Sequence, residues 1–149
     1  MLITETNIEK AKQLINKSKG KEQIIVQALD AKYNRSLIEY GKFDYLLLPE
    51  PLAELKNKKD KIKQLDLGFS SIIGRIATKN KVSLLIDLEP MRKLETKQKA
   101  LVLGRLREII KLARKTKTKI KFKACLELKN HNALFSELGA SSHQMKVSV

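Results

Sequence analysis

The chain has 149 residues, with 31 Lys and Arg against 16 Asp and Glu, a formal net charge of +15 and 42% hydrophobic side chains. That apolar share is enough for a core and argues against wholesale disorder. Apolar runs as short as Ile24–Val26 and Leu46–Leu48 argue against a bilayer-spanning helix. Met1–Glu5 lacks the basic start and apolar stretch of a signal peptide, and Cys125, the only cysteine, can form no intrachain disulfide. A cytoplasmic location is expected.

Hydrophobic periodicity then alternates along the chain between helix and strand. Asn7–Ser18 reads as a helix with Ile8, Ala11, Leu14 and Ile15 on one face and Gly20 just past its end. The β-branched run Gln23–Leu29 predicts a strand. Lys32–Tyr40 predicts a second helix closed by Gly41, and Phe43–Leu48 a strand stopped by Pro49 and Pro51. Within Leu65–Asn80, the residues Phe69, Ile72, Ile73, Ile76 and Ala77 fall at helical spacing. Val82–Leu88 predicts a strand, Leu94–Lys115 the longest helix, and Thr118–Ala124 another strand. A short helix over Asn130–Leu138, ended by Gly139, and a final strand over Met145–Val149 complete the pattern. Strands separated by helices imply a parallel sheet of βαβ units. A closed eight-stranded barrel typically needs about 250 residues, so the expected fold is one α/β domain over residues 1–149. Its five-stranded parallel sheet would be either open or part of a barrel.

Alternation along two strands predicts a two-faced sheet. Val82, Leu84, Ile86 and Leu88 share one side and oppose Ser83, Leu85 and Asp87; Ile120, Phe122, Ala124 and Leu126 oppose Lys119, Lys121 and Lys123. If these strands are neighbours, Asp87 and Glu89 could neutralise Lys121 and Lys123, which is the structural alternative to a binding role for those lysines.

The positive charge is unevenly placed. Residues 1–55 hold eight basic and eight acidic side chains, and residues 64–91 and 124–149 also cancel. Residues 56–63 hold Lys56, Lys58, Lys59, Lys61 and Lys63 against Asp60, and residues 92–123 hold thirteen cations against Glu95 and Glu108. Such clustering is the footprint of a polyanion binder. On a helical wheel Arg107, Lys111, Arg114 and Lys115 oppose the Val102, Leu106 and Ile109 stripe, with Lys117 just beyond the helix end. Ordinary solvated faces mix both signs, and here Glu108 is the only acid between Thr96 and Ala124, which favours phosphate binding. For the Lys56–Lys63 run, binding and plain solubility compete. With no Trp and few aromatics outside core-like positions, base stacking is poorly supported. Charge-driven contact with the backbone of a folded RNA suits these residues better.

Catalytic patterns are weak. His131 and His143 stand apart, Cys125 has no C-x-x-C partner, and Gly68 and Gly74 fit no phosphate-binding loop. No metal or cofactor site is expected in the chain. Asp87 with Glu89, near a strand end, is the best carboxylate pair, but no histidine lies near it in sequence.

Over residues 60–116 the chain resembles ribonuclease P protein component 3, an archaeal and eukaryal subunit with a TIM-barrel-like fold. The resemblance is carried by Asp66–Met91, where a helix ends in Lys79-Asn80 and a strand closes in the turn at Glu89-Pro90, and by the long helix from Leu103 to Lys117. Weaker similarity reaches back to Ile24–Glu50 and forward to Val149. The family's first strands and helices have no counterpart here. Glu89 stands where the family usually has Arg, and Lys121–Leu126 replaces a strand rich in Thr and Ser. The resemblance implies a truncated, TIM-barrel-like (β/α) barrel that supports the catalytic ribonuclease P RNA while its bound Mg²⁺ and that RNA remove the 5′ leader from precursor tRNA. It implies pairing with protein component 2, possible assembly as a homodimer or heterotetramer, and no chemistry by this chain itself. The competing expectations are a metal-dependent phosphoesterase, which shares the fold, and a generic ribosomal or tRNA-binding protein.

Overall fold

The computed structural model describes residues 1–48, 68–123, 133–134 and 136–141. Five strands, β1 (Leu2–Ile3), β2 (Ile25–Gln27), β3 (Tyr45–Leu47), β4 (Ser83–Ile86) and β5 (Ile120–Phe122), form one parallel sheet in the order β1-β2-β3-β4-β5. Each strand pairs with the next in sequence. Helices α1 (Ile8–Ser18), α2 (Ala31–Tyr40), α3 (Ser71–Lys79) and α4 (Thr96–Thr116) occupy the connections, and a 3₁₀ turn, Glu89–Lys93, precedes α4. Residues 133, 134, 136 and 137 are helical, within the predicted short helix. Five parallel strands in successive order with intervening helices make an arc of the kind found in (β/α) barrels.

One strand of the sheet, β1, is not among the predicted ones. The strand β1 carries no periodicity that two residues could show, so its existence rests on pairing alone: Leu2 and Ile3 stand opposite Ile25 and Val26. The predicted strand Met145–Val149 lies outside the described residues. The other strands are shorter than their apolar runs, because residues such as Ala28, Phe43 and Val82 pack into the core beyond the paired segment.

Helix boundaries follow local chemistry. The Asn7 side chain accepts from the Glu9 and Lys10 amides at 3.0 and 3.1 Å, Asp30 from the Tyr33 amide at 2.8 Å, and Ser70 from the Ile73 amide at 3.3 Å. Each cap satisfies amides that have no partner within the helix. The Pro90 ring, with φ fixed, suits the 3₁₀ turn before α4.

One row of side chains crosses the whole sheet. Ile3, Val26, Leu46, Leu84 and Ile120 are paired in register from edge to edge, and none is more than 2% exposed. They join Ala11 and Ile15 of α1, Leu37 and Ile38 of α2, Ile73 and Ala77 of α3, and Ile109, Ile110 and Ala113 of α4 in one core. Burying each large aliphatic chain contributes roughly 1.5–3 kcal/mol. Asn34 is buried within this layer and meets its polar needs. Its side chain exchanges hydrogen bonds with the Leu29 amide and carbonyl at 2.8 and 3.2 Å and donates to the Gly68 carbonyl at 2.9 Å.

Each of α1 to α4 returns to its next strand through a residue in the left-handed region. After α1 and α2 these are Gly20 and Gly41, with φ of 81° and 64°. After α3 and α4 they are Lys81 and Lys117, with φ of 60° and 59°, where a side chain costs about 1–2 kcal/mol. Threonines hold the second of these turns. The Thr116 and Thr118 hydroxyls lie 2.7 Å apart, and Thr118 donates to the Gly74 carbonyl at 3.0 Å. Thr78 of α3 donates to the Thr116 carbonyl at 2.9 Å. This close approach needs Gly74, since a Cβ there would stand 2.5 Å from the Thr116 hydroxyl.

Gly74→Ala should therefore lower the unfolding free energy by about 1–3 kcal/mol, read from urea denaturation. Lys117→Gly should raise it by up to about 1 kcal/mol, the left-handed penalty less the entropy of glycine.

Candidate nucleic-acid interface

α4 turns Val102, Leu106, Ile109, Ile110 and Ala113 into the core, and the remaining face looks outward. Arg107, Lys111, Arg114 and Lys115 are all exposed there, at spacings of four, three and one, and Lys117 is exposed in the turn that follows. The structure thus brings together these five predicted cations. Lys111 is engaged: its Nζ lies 2.7 Å from the Glu108 carboxylate, an exposed i,i+3 pair of the kind worth about 0.3–0.5 kcal/mol. Arg107, Arg114, Lys115 and Lys117 form no ion pair among the described residues. The predicted cations Lys56, Lys58, Lys59, Lys61 and Lys63 lie outside the described residues, as do Cys125, His131 and His143.

On the opposite face of the sheet Lys121 and Lys123 have partners within the chain, whereas Lys119 makes no ion pair among the described residues. Lys123 pairs with Asp87 at 2.8 Å, across the β4–β5 junction, and the Asp87 side chain is 17% exposed. Lys121 donates to the Tyr45 hydroxyl at 2.8 Å and lies 5.0 Å from that ring's centroid. The neutralising alternative holds for Lys123 and Asp87, whereas Tyr45 rather than a carboxylate engages Lys121. Asp87 also accepts from the Glu89 amide at 3.1 Å, and the Glu89 carboxylate lies 3.7 Å from Arg92. The best carboxylate pair of the sequence is therefore divided between two cations.

A feature missed in the sequence lies along the edge formed by the N-terminal ends of the strands, where the helices return. A groove of about 600 Å³ is lined there by Lys19, Lys21, Lys42 and Lys81, with Glu22 and Asp44 as its carboxylates. These lysines come from three separate helix-to-strand turns. Three of them belong to residues 1–55, whose charges cancel when counted linearly. The available signal was positional: a lysine follows each of the four helix ends within three residues.

No protein-family model matches the chain, and no curated protein does. Among solved structures, a chain in the cryo-EM structure of archaeal ribonuclease P with mature tRNA superposes with a TM-score of 0.76 at 19% sequence identity. The match covers 93% of this chain and 59% of that one, so this chain spans less than two thirds of the length of the protein it resembles. At this identity the likeness establishes the fold: nearly the whole chain follows the α/β architecture of that ribonuclease P protein.

Proposed function

We propose that this protein is an RNA-binding subunit of ribonuclease P, equivalent to protein component 3, which supports the catalytic RNA in removing the 5′ leader from precursor tRNA. The observation that carries the reading is the outward face of α4, where Arg107, Arg114 and Lys115 stand exposed without carboxylate partners among the described residues. The fold likeness to a chain of archaeal ribonuclease P supports it.

The chemistry follows from the residue types. Arginine and lysine side chains on one helix face bind backbone phosphates and release counterions, so binding is strong at low salt and largely indifferent to sequence. A helix anchored along one side by five apolar residues presents these groups in fixed relative positions. Ordering the RNA then requires little reorganisation of the protein. Bond cleavage belongs to the RNA and the Mg²⁺ it carries; this chain screens phosphates and holds the RNA in place. Protein component 2 is the expected partner, with assembly as a homodimer or heterotetramer.

Recovery of RNA bound to the protein in its own cells tests the assignment. Ribonuclease P RNA should be enriched, and cleavage of precursor tRNA by reconstituted enzyme should fall when the protein is omitted. Enrichment of ribosomal RNA alone would overturn it in favour of a ribosomal protein, and steady phosphatase turnover with Mn²⁺ would point to a phosphoesterase.

Two substitutions probe the surface. Replacing Arg107, Lys111, Arg114 and Lys115 together by Ala should reduce the slope of log K against log salt by roughly 0.7–0.9 for each phosphate no longer neutralised, read by fluorescence titration. Glu108→Gln should act in the opposite sense. It releases Lys111 and removes a repelling charge, tightening RNA binding roughly two- to fivefold when the Debye length is about 10 Å. Stability should change by less than about 0.5 kcal/mol.

A further inference from the structure

We infer that the helix-return edge of the sheet is a second phosphate-binding surface, on which the lysine-lined groove seats a segment of the RNA backbone. This role rests on the RNA-binding reading above and adds to it lysines of the α1, α2 and α3 turns, far from the α4 face in sequence.

The backbone itself brings the turns together. The Asp44 amide donates to the Ile24 carbonyl at 3.0 Å, the Ser83 amide to the Asp44 carbonyl at 2.9 Å, and the Leu84 amide to the Lys119 carbonyl at 2.9 Å. Four turns are thus rungs of one ladder, with neighbouring strands about 4.8 Å apart. Along it stand Lys19, Lys21, Lys42, Lys81, Lys117 and Lys119, every one exposed. The α2 and α3 turns are locked to each other, because the Asn80 side chain donates to the Ile38 carbonyl at 2.6 Å.

The carboxylates at this edge are already engaged. Glu22 lies 3.0 Å from the Met1 amino group, and Asp44 accepts from the Ile24 amide at 2.8 Å. Lys42 rests over the Tyr40 ring at 4.7 Å. The side chains of Lys19, Lys21, Lys81, Lys117 and Lys119 make no ion pair or ring contact among the described residues.

The opposing effect is the helix dipole. Each helix end at this edge carries about half a negative charge, which repels an anion. Lys17, Lys79, Arg114 and Lys115 in the last turns of α1, α3 and α4 offset that field. The six turn lysines, against two engaged carboxylates, leave the edge positive. Two of them, Lys81 and Lys117, occupy left-handed positions that glycine would fill without strain. Helix termination alone therefore does not explain a lysine there.

A nucleic-acid backbone fits this edge better than an acidic protein. Protein interfaces need apolar anchors at their centre, yet Ile24 and Phe43 beside the groove are 3% and 5% exposed. Lysines act on phosphate as mobile point charges with no demand for planar pairing. Lys115 and Lys117 join the edge to the α4 face, so one RNA can cross from one surface to the other.

The test compares two variants of the full chain against a ribonuclease P RNA transcript. In the edge variant, Lys19, Lys21 and Lys42 become Gln and Lys81 becomes Gly; the helix variant is the fourfold alanine substitution in α4. The edge variant should lower the slope of log K against log salt by roughly 0.7–0.9 for every lysine that had met a phosphate. Lys81→Gly alone, which relaxes a strained turn, should do so by one such increment at an undiminished denaturation midpoint, which keeps the edge testable if the fourfold variant folds poorly. An unchanged slope in the edge variant with a reduced slope in the helix variant would overturn the inference and leave the RNA-binding reading standing. Unchanged slopes in both would overturn both. Loss of poly-glutamate binding by the edge variant, with RNA binding intact, would assign the groove to an acidic protein and likewise overturn it.

Discussion

Pairing of each strand with its successor, in parallel, is the constraint on which the rest of the structure depends. Parallel neighbours cannot be joined by a tight hairpin; each connection must cross back along the sheet. Among the described residues the chain does so four times, and each crossing carries a helix whose apolar stripe joins the same core as that row of strand residues. All four return turns must then lie at one edge. What is dispersed through more than one hundred residues of sequence becomes a contiguous line in space.

The register row from Ile3 to Ile120 and the threonine cluster at Thr78, Thr116 and Thr118 act on α4 from two directions. The row fixes which side of the helix is buried, and so which side presents Arg107, Arg114 and Lys115. The hydroxyls fix where the helix stops. Because Thr116 and Thr118 are both buried, the intervening Lys117 has little freedom to leave its left-handed conformation. Side-chain packing and backbone strain thus place a charged group, and the group's location is a property of the core as much as of the surface.

How much of this was legible depends on the length scale of each signal. The four helices could be read closely, since caps such as Asn7 and terminators such as Gly41 act within a few residues and the α4 stripe from Val102 to Ala113 repeats over about three turns. The cationic face of α4 was readable for the same reason: one helix holds all its members. The pairing of Lys123 with Asp87 followed from strand alternation once the two strands were taken as neighbours. Strand β1 escaped because two residues have no period, and its pairing with Ile25 and Val26 is a relation across more than twenty residues. The lysine-lined edge escaped for a related reason. A charge sum over residues 1–55 mixes Lys19, Lys21 and Lys42 with acids such as Glu9 and Glu39, which sit on helix surfaces and pair with Lys12 and Arg35. Only the topology sorts one group from the other.

The sheet is unequal at its two sides. β1 contributes two residues, and Leu2 is half exposed, whereas β5 is preceded by the threonine cluster and by the longest helix of the described residues. Local opening costs least where few buried contacts and few rungs must be broken, so excursions from the native state begin at the β1 side. Rigidity therefore increases across the molecule towards α4. The charges on the outward face of α4 thus stand on the firmest part of the sheet, and the yielding part lies at the flank farthest from them.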